Sequence, residues 1–152
     1  MPLVYKGKTD DPKVRRFFAL RRQQRKAMRV REVNRKRDKH HLLFWKKRWL
    51  APEARNLREN DYLKVELPYA LHQQLHARMR YTIPCPSEKD CLRAAEAIKA
   101  AAKAGRIDPK HDTAVRRLNF LINIWRGHCA ETIECLTTQR DLLANFYDHG
   151  HL

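Results

Sequence analysis

Four cysteines, two closely spaced histidines and a dense run of arginines are the residues of this chain whose chemistry depends on spacing. The cysteines form two pairs, Cys85/Cys91 and Cys129/Cys135, each with five residues between. Cys85 with Cys135 and Cys91 with Cys129 have the same index sum. An antiparallel helical hairpin turning near Pro109 would therefore set both pairs face to face and admit two concentric disulfides. A step of six residues turns a helix through roughly 240°, so two cysteines of one helix point different ways. Only Cys85, standing off the helix before Pro86, relieves that mismatch. Buried free thiols are the competing state. Zinc, with His128 as an added ligand, requires tighter knuckles than these gaps, so no metal is assigned.

His72 and His76 are four apart, a spacing compatible with a metal, but Gln73 stands where a zinc-protease helix carries its glutamate. They are read as an exposed pair on an amphipathic helix. The four glycines stand far apart and none precedes a Lys-Ser/Thr pair, so there is no phosphate loop. A Ser or Cys nucleophile signature is also missing. Neither an enzyme, nor a cofactor, nor a small-molecule substrate is expected.

The arginines carry the strongest signal. Residues 1–58 hold 20 Lys and Arg against five acids, a net charge of +15, whereas residues 59–152 hold 13 against 12. The candidates for polyanion contact are Arg15, Arg16, Arg21, Arg22, Arg25, Lys26, Arg29, Arg31, Arg35, Lys36, Arg37 and Lys39, followed by Lys46, Lys47 and Arg48. Arginine outnumbers lysine, and its planar fork grips phosphate oxygens bidentately. Such contacts anchor a protein on nucleic acid without reading its sequence. Phe44, Trp45 and Trp49 interleave with the last of these cations. They are candidates either for stacking on unpaired bases or for docking on the protein's own body.

Those side chains need elements to position them. Asp10-Asp11-Pro12 is a helix start, with an acidic cap and Pro at the first helical position. From Lys13 to about Leu50 there is neither Gly nor Pro, which predicts one long basic helix. Its middle is polar all round and has no core to pack on. Ala51-Pro52 breaks it. Tyr62–Leu67 reads as a short strand or an extended link, and Pro68 starts a helix to about Arg80. Ser87-Glu-Lys-Asp90 is a capping box opening a further helix. Asp108-Pro109 starts another, with Gly127 kinking or dividing it. The expected fold is mainly α: a basic arm over residues 1–58, then a near-neutral helical domain over 59–152 containing an antiparallel hairpin at about 87–147.

The isoelectric point near 10.2, the mean hydropathy of −0.76 and the lack of a long apolar run exclude a membrane-spanning chain as the first reading. No apolar stretch follows the basic start, so a secretory signal is not expected. An uncleaved mitochondrial targeting role suits its arginines, although Asp10 and Asp11 are unusual in transit peptides. The arm-plus-body plan is similar to that of ribosomal proteins in general, and the body resembles the lineage-specific additions of mitochondrial ribosomes. The resemblance implies a structural constituent of a ribonucleoprotein, partnered by rRNA and neighbouring ribosomal proteins, in the mitochondrial matrix or on a cytoplasmic ribosome. The cysteine pairs also look like the twin-cysteine hairpins of small mitochondrial proteins. That likeness implies an alternative: an accessory subunit of a respiratory or ATP synthase complex in the inner membrane.

Overall fold

The computed structural model describes residues 11–35 and 37–152, with side chains described to Arg25 and again from Arg37. The chain divides into two compact units between Lys36 and Arg37. Each unit is described by itself.

The first unit contributes α1 (Pro12–Arg35). Asp11 caps it as expected, with Oδ1 accepting the Lys13 N–H at 2.9 Å. At 24 residues the helix is about 36 Å long. It stops well short of the expected Leu50.

The reason lies in the second unit. Arg37–His41 forms strand β1, paired antiparallel with β2 (Lys64–Pro68) in the register Arg37↔Pro68, Lys39↔Glu66, His41↔Lys64. Lys39 thus stands directly across from Glu66, a favourable cross-strand pair. Leu42, Leu43, Phe44 and Trp45 follow, and all four are buried. A helix would spread four consecutive apolar residues over its whole circumference, which suits a basic rod poorly. Extended chain can send them alternately into the same core. Burying them outweighs the helix propensity of the segment, since each side chain contributes about 1.5–3 kcal/mol.

The rest of this unit is helical. A 3₁₀ turn (Lys47–Trp49) leads into α2 (Pro52–Arg58), and a second (Asp61–Leu63) leads into β2. Helix α3 (Tyr69–Arg78) follows directly, then α4 (Glu88–Lys103), α5 (Ala114–Ile124) and α6 (Ala130–His149). The capping box is present: the Asp90 N–H donates to Ser87 Oγ and the Ser87 N–H to Asp90 Oδ2. Gly105 ends α4 at φ +72, a left-handed position that favours glycine.

Asp108-Pro109 does not open a helix. Asp108 Oδ1 accepts from the Lys110 and His111 N–H groups, closing a single turn, and α5 begins only at its Thr113 cap. The hairpin also differs from the expected one. Helices α5 and α6 pack on each other, with Arg140 donating to Asn119 at 3.1 Å, while α4 packs on α2. Gly127 lies in the connection and divides the expected long helix.

The core is centred on Trp45 and Trp125, both fully buried, with ring centroids 5.6 Å apart. Arg117 is buried beside it. Its guanidinium donates to the carbonyls of Asp112, Tyr62 and Pro109 and lies 5.0 Å from the Tyr62 ring centre. An arginine satisfied by backbone oxygens serves the fold rather than a ligand, joining the turn before α5 to the chain entering β2.

Candidate functional site

Helix α1 presents the basic candidates whose side chains are described. Arg15, Arg16, Arg21, Arg22 and Arg25 are all exposed. At 100° per residue, Arg15, Arg21, Arg22 and Arg25 fall within about 120° of the circumference. That makes a stripe of cations along one side of a rod. Phe17, Phe18 and Leu20 are exposed too, at 54%, 37% and 52%, so these three apolar side chains are not buried. The side chains of Lys26, Arg29, Arg31 and Arg35, and Lys36 altogether, lie outside the described residues.

The remaining basic candidates belong to the second unit and do not continue the rod. Arg37 and Lys39 are exposed on alternate positions of β1, sharing one side of it. Lys47 and Arg48 are exposed in the first 3₁₀ turn. The aromatic trio divides. Phe44 and Trp45 are buried and serve as anchors in the body. Trp49 is 45% exposed, with Lys46 Nζ 5.0 Å and Arg48 Cζ 5.3 Å from its ring centre. The two tryptophans do not share a helix face, because Trp45 sits in an isolated bridge with Thr82. An exposed indole flanked by two cations can stack on a base while the cations meet phosphate.

The concentric disulfides are overturned. The structure joins Cys85 to Cys129, with Cα atoms 5.5 Å apart, and leaves Cys91 and Cys135 as buried free thiols. The index rule required α4 to lie against α6, whereas α4 packs on α2. The bridge instead ties the connector before α4 to the turn before α6. Burial pushes the Cys91 and Cys135 thiols up to about 11, which makes both poor nucleophiles at neutral pH.

The histidines form the site that spacing alone missed. His72 and His76 are not an exposed pair: they are half-buried on α3 and face His40 of β1. The three rings each supply a nitrogen lying within 4.8 Å of the others. His72 Nδ1 is 3.1 Å from Asp38 Oδ2, and His72 Nε2 is 2.9 Å from His76 Nε2. His40 is fully buried, with Nε2 donating to Gln139 Oε1 at 2.6 Å. Gln139 is oriented in turn, because its amide nitrogen donates to the Leu42 carbonyl. Among the described residues His40 Nδ1 has no hydrogen-bond partner. Phe44 stacks on His76, their ring centres 4.8 Å apart. A cavity of about 210 Å³ opens beside the cluster, bordered by His72, His76, Lys39, Arg58 and Tyr81. The sequence signal was present but indirect. A histidine two residues before the apolar run sits on a strand, and only strand pairing brings that strand to α3.

Burial lowers His40 to about 3, with His72, His76 and His41 adding to the effect, and His41 and His76 are lowered as well, mainly by burial. The unfolded chain therefore takes up protons near pH 6.5 that the folded chain refuses, so stability is lost as pH falls below that value. Between pH 7.5 and 5.0, His40 alone should lower the unfolding free energy by about 2 kcal/mol. Denaturant unfolding at the two pH values, with a chelator present, measures this; an unchanged midpoint would count against a neutral His40.

No protein-family model matches the chain, and no curated protein and no solved structure matches it at a significant level.

Proposed function

We propose that this chain is a structural constituent of a large ribonucleoprotein, with α1 lying on RNA phosphates and the second unit docking on neighbouring proteins. The observation that carries the reading is α1 itself: a capped helix whose described side chains are nearly all exposed, with four arginines along one side and Phe17, Phe18 and Leu20 left unburied. A rod of that charge is held down by a dense polyanion. Phe17, Phe18 and Leu20 suit contact with a protein or with unstacked bases at the same interface. Trp49 between Lys46 and Arg48 offers a second point of contact on the body. A mitochondrial ribosome is the setting we favour, with rRNA as the polyanion and no reaction catalysed. Among the described residues no helix is long and apolar enough to cross a membrane.

The test is co-sedimentation of the full chain with an RNA-containing particle, with and without nuclease. The expected result is sedimentation that nuclease abolishes. Retention on anionic vesicles with no retention on RNA would replace this reading with the membrane-complex alternative.

A further inference from the structure

We propose that the second unit binds one divalent transition-metal ion of the zinc type through His40, His72 and His76. Two features of the cluster point to a metal rather than to a packed polar group. The donor set is three imidazoles, two of them one helical turn apart on α3 and the third delivered by a neighbouring strand. Imidazole suits zinc, copper and nickel, whereas magnesium and calcium take oxygen ligands.

Two of the three rings are also oriented from behind. Asp38 accepts the Nδ1–H of His72, leaving its Nε2 as a lone pair, the carboxylate–histidine arrangement that supports metal ligands. Gln139 accepts from His40 Nε2, leaving Nδ1 as the ring's lone pair. That nitrogen is buried and has no hydrogen-bond partner among the described residues. An orphaned buried acceptor costs about 1–3 kcal/mol, and a cation would satisfy it.

The 2.9 Å contact between His72 Nε2 and His76 Nε2 holds one proton. On binding, the proton moves to Nδ1 of His76, and both Nε2 lone pairs face the ion. The adjoining cavity leaves a fourth position for water. Lys39, His41 and Arg58 border that cavity and oppose a cation, while Asp38 offsets part of their charge. Bound metal would fasten β1 to α3 and, through Gln139, hold both to α6. It would act as a staple for a small core, independent of what α1 contacts.

The probes are cobalt(II) and zinc(II) added to the full chain after chelator treatment. One equivalent of cobalt should bind and give the visible band of a tetrahedral nitrogen–oxygen site, which zinc then bleaches. His72→Asn and His76→Asn, both at half-buried positions, should each lose that band, while His111→Asn and His149→Asn keep it. In the wild type, long-range proton–nitrogen spectra should show the rings of three of the eight histidines moving on zinc addition. This measurement does not depend on how any variant folds. The proposal is overturned by an absence of stoichiometric uptake, by unmoved histidine rings, or by a thiolate-to-cobalt charge-transfer band that would assign the ion to cysteine.

Discussion

Changing Arg15, Arg16, Arg21, Arg22 and Arg25 together to Gln should reduce the log–log salt slope of RNA binding by about 3.5–4.5. Each phosphate that a cation neutralises releases counterions and contributes roughly 0.7–0.9 to that slope, the lower value for single strands. Five such contacts make affinity fall on the order of a hundredfold between 50 and 200 mM salt, a loss the variant should no longer show. The five side chains are exposed, so far-ultraviolet circular dichroism of the variant should match the wild type. Binding measured by anisotropy on a structured RNA across a salt series reads the slope directly. An unchanged slope would remove α1 from the interface. Because the contacts proposed are to phosphates, the loss should be similar for unrelated RNA sequences.

Trp45→Ala should be the most destabilising single change in the basic-aromatic segment, costing about 3–5 kcal/mol. The indole is fully buried against Trp125, and its Nε1 lies 3.4 Å from Thr132 Oγ1 at the start of α6. Its removal leaves a void where the chain after β1 meets the α5–α6 pair. The melting temperature should drop by roughly 10–20 °C for a unit of this size. Trp49→Ala, only four residues away, should stay within about 0.5 kcal/mol of the wild type, since Trp49 is exposed and packs mainly on its own neighbouring cations. Thermal unfolding of the two variants side by side separates anchor from surface. Equal losses would contradict the burial described here.

Much of the helical framework was legible from local chemistry. The Asp11-Pro12 start, the Ser87–Asp90 capping box and the Gly105 stop are short-range signals: each satisfies backbone groups within a few residues of itself. The charge division was equally plain, because net charge needs no fold. What failed had a common cause. Lys13 to Leu50 has the composition of one helix, yet Arg37–His41 pairs with a strand that begins 23 residues further on. Cross-strand bonds and the burial of Leu42–Trp45 override propensity from outside the segment. Asp108-Pro109 failed in the opposite direction. A cap that can start a helix can equally close a lone turn, and the choice falls to Arg117, whose guanidinium gathers the carbonyls of that turn.

The candidate sites divide along the same line. The run of arginines is plain in residue order, whereas the grouping of four of them on one side emerges only with the phase of α1. The disulfide partner of Cys85 and the third histidine of the cluster were decided by packing. Cys129 became the partner because α4 turned to α2 instead of α6. His40 joined His72 and His76 because β1 lies beside α3. Order along the chain determined where charge and helix-forming residues stand, since both act over a turn or two. The tertiary structure decided which distant side chains meet, because such meetings depend on how the apolar surface of the whole unit is buried at once.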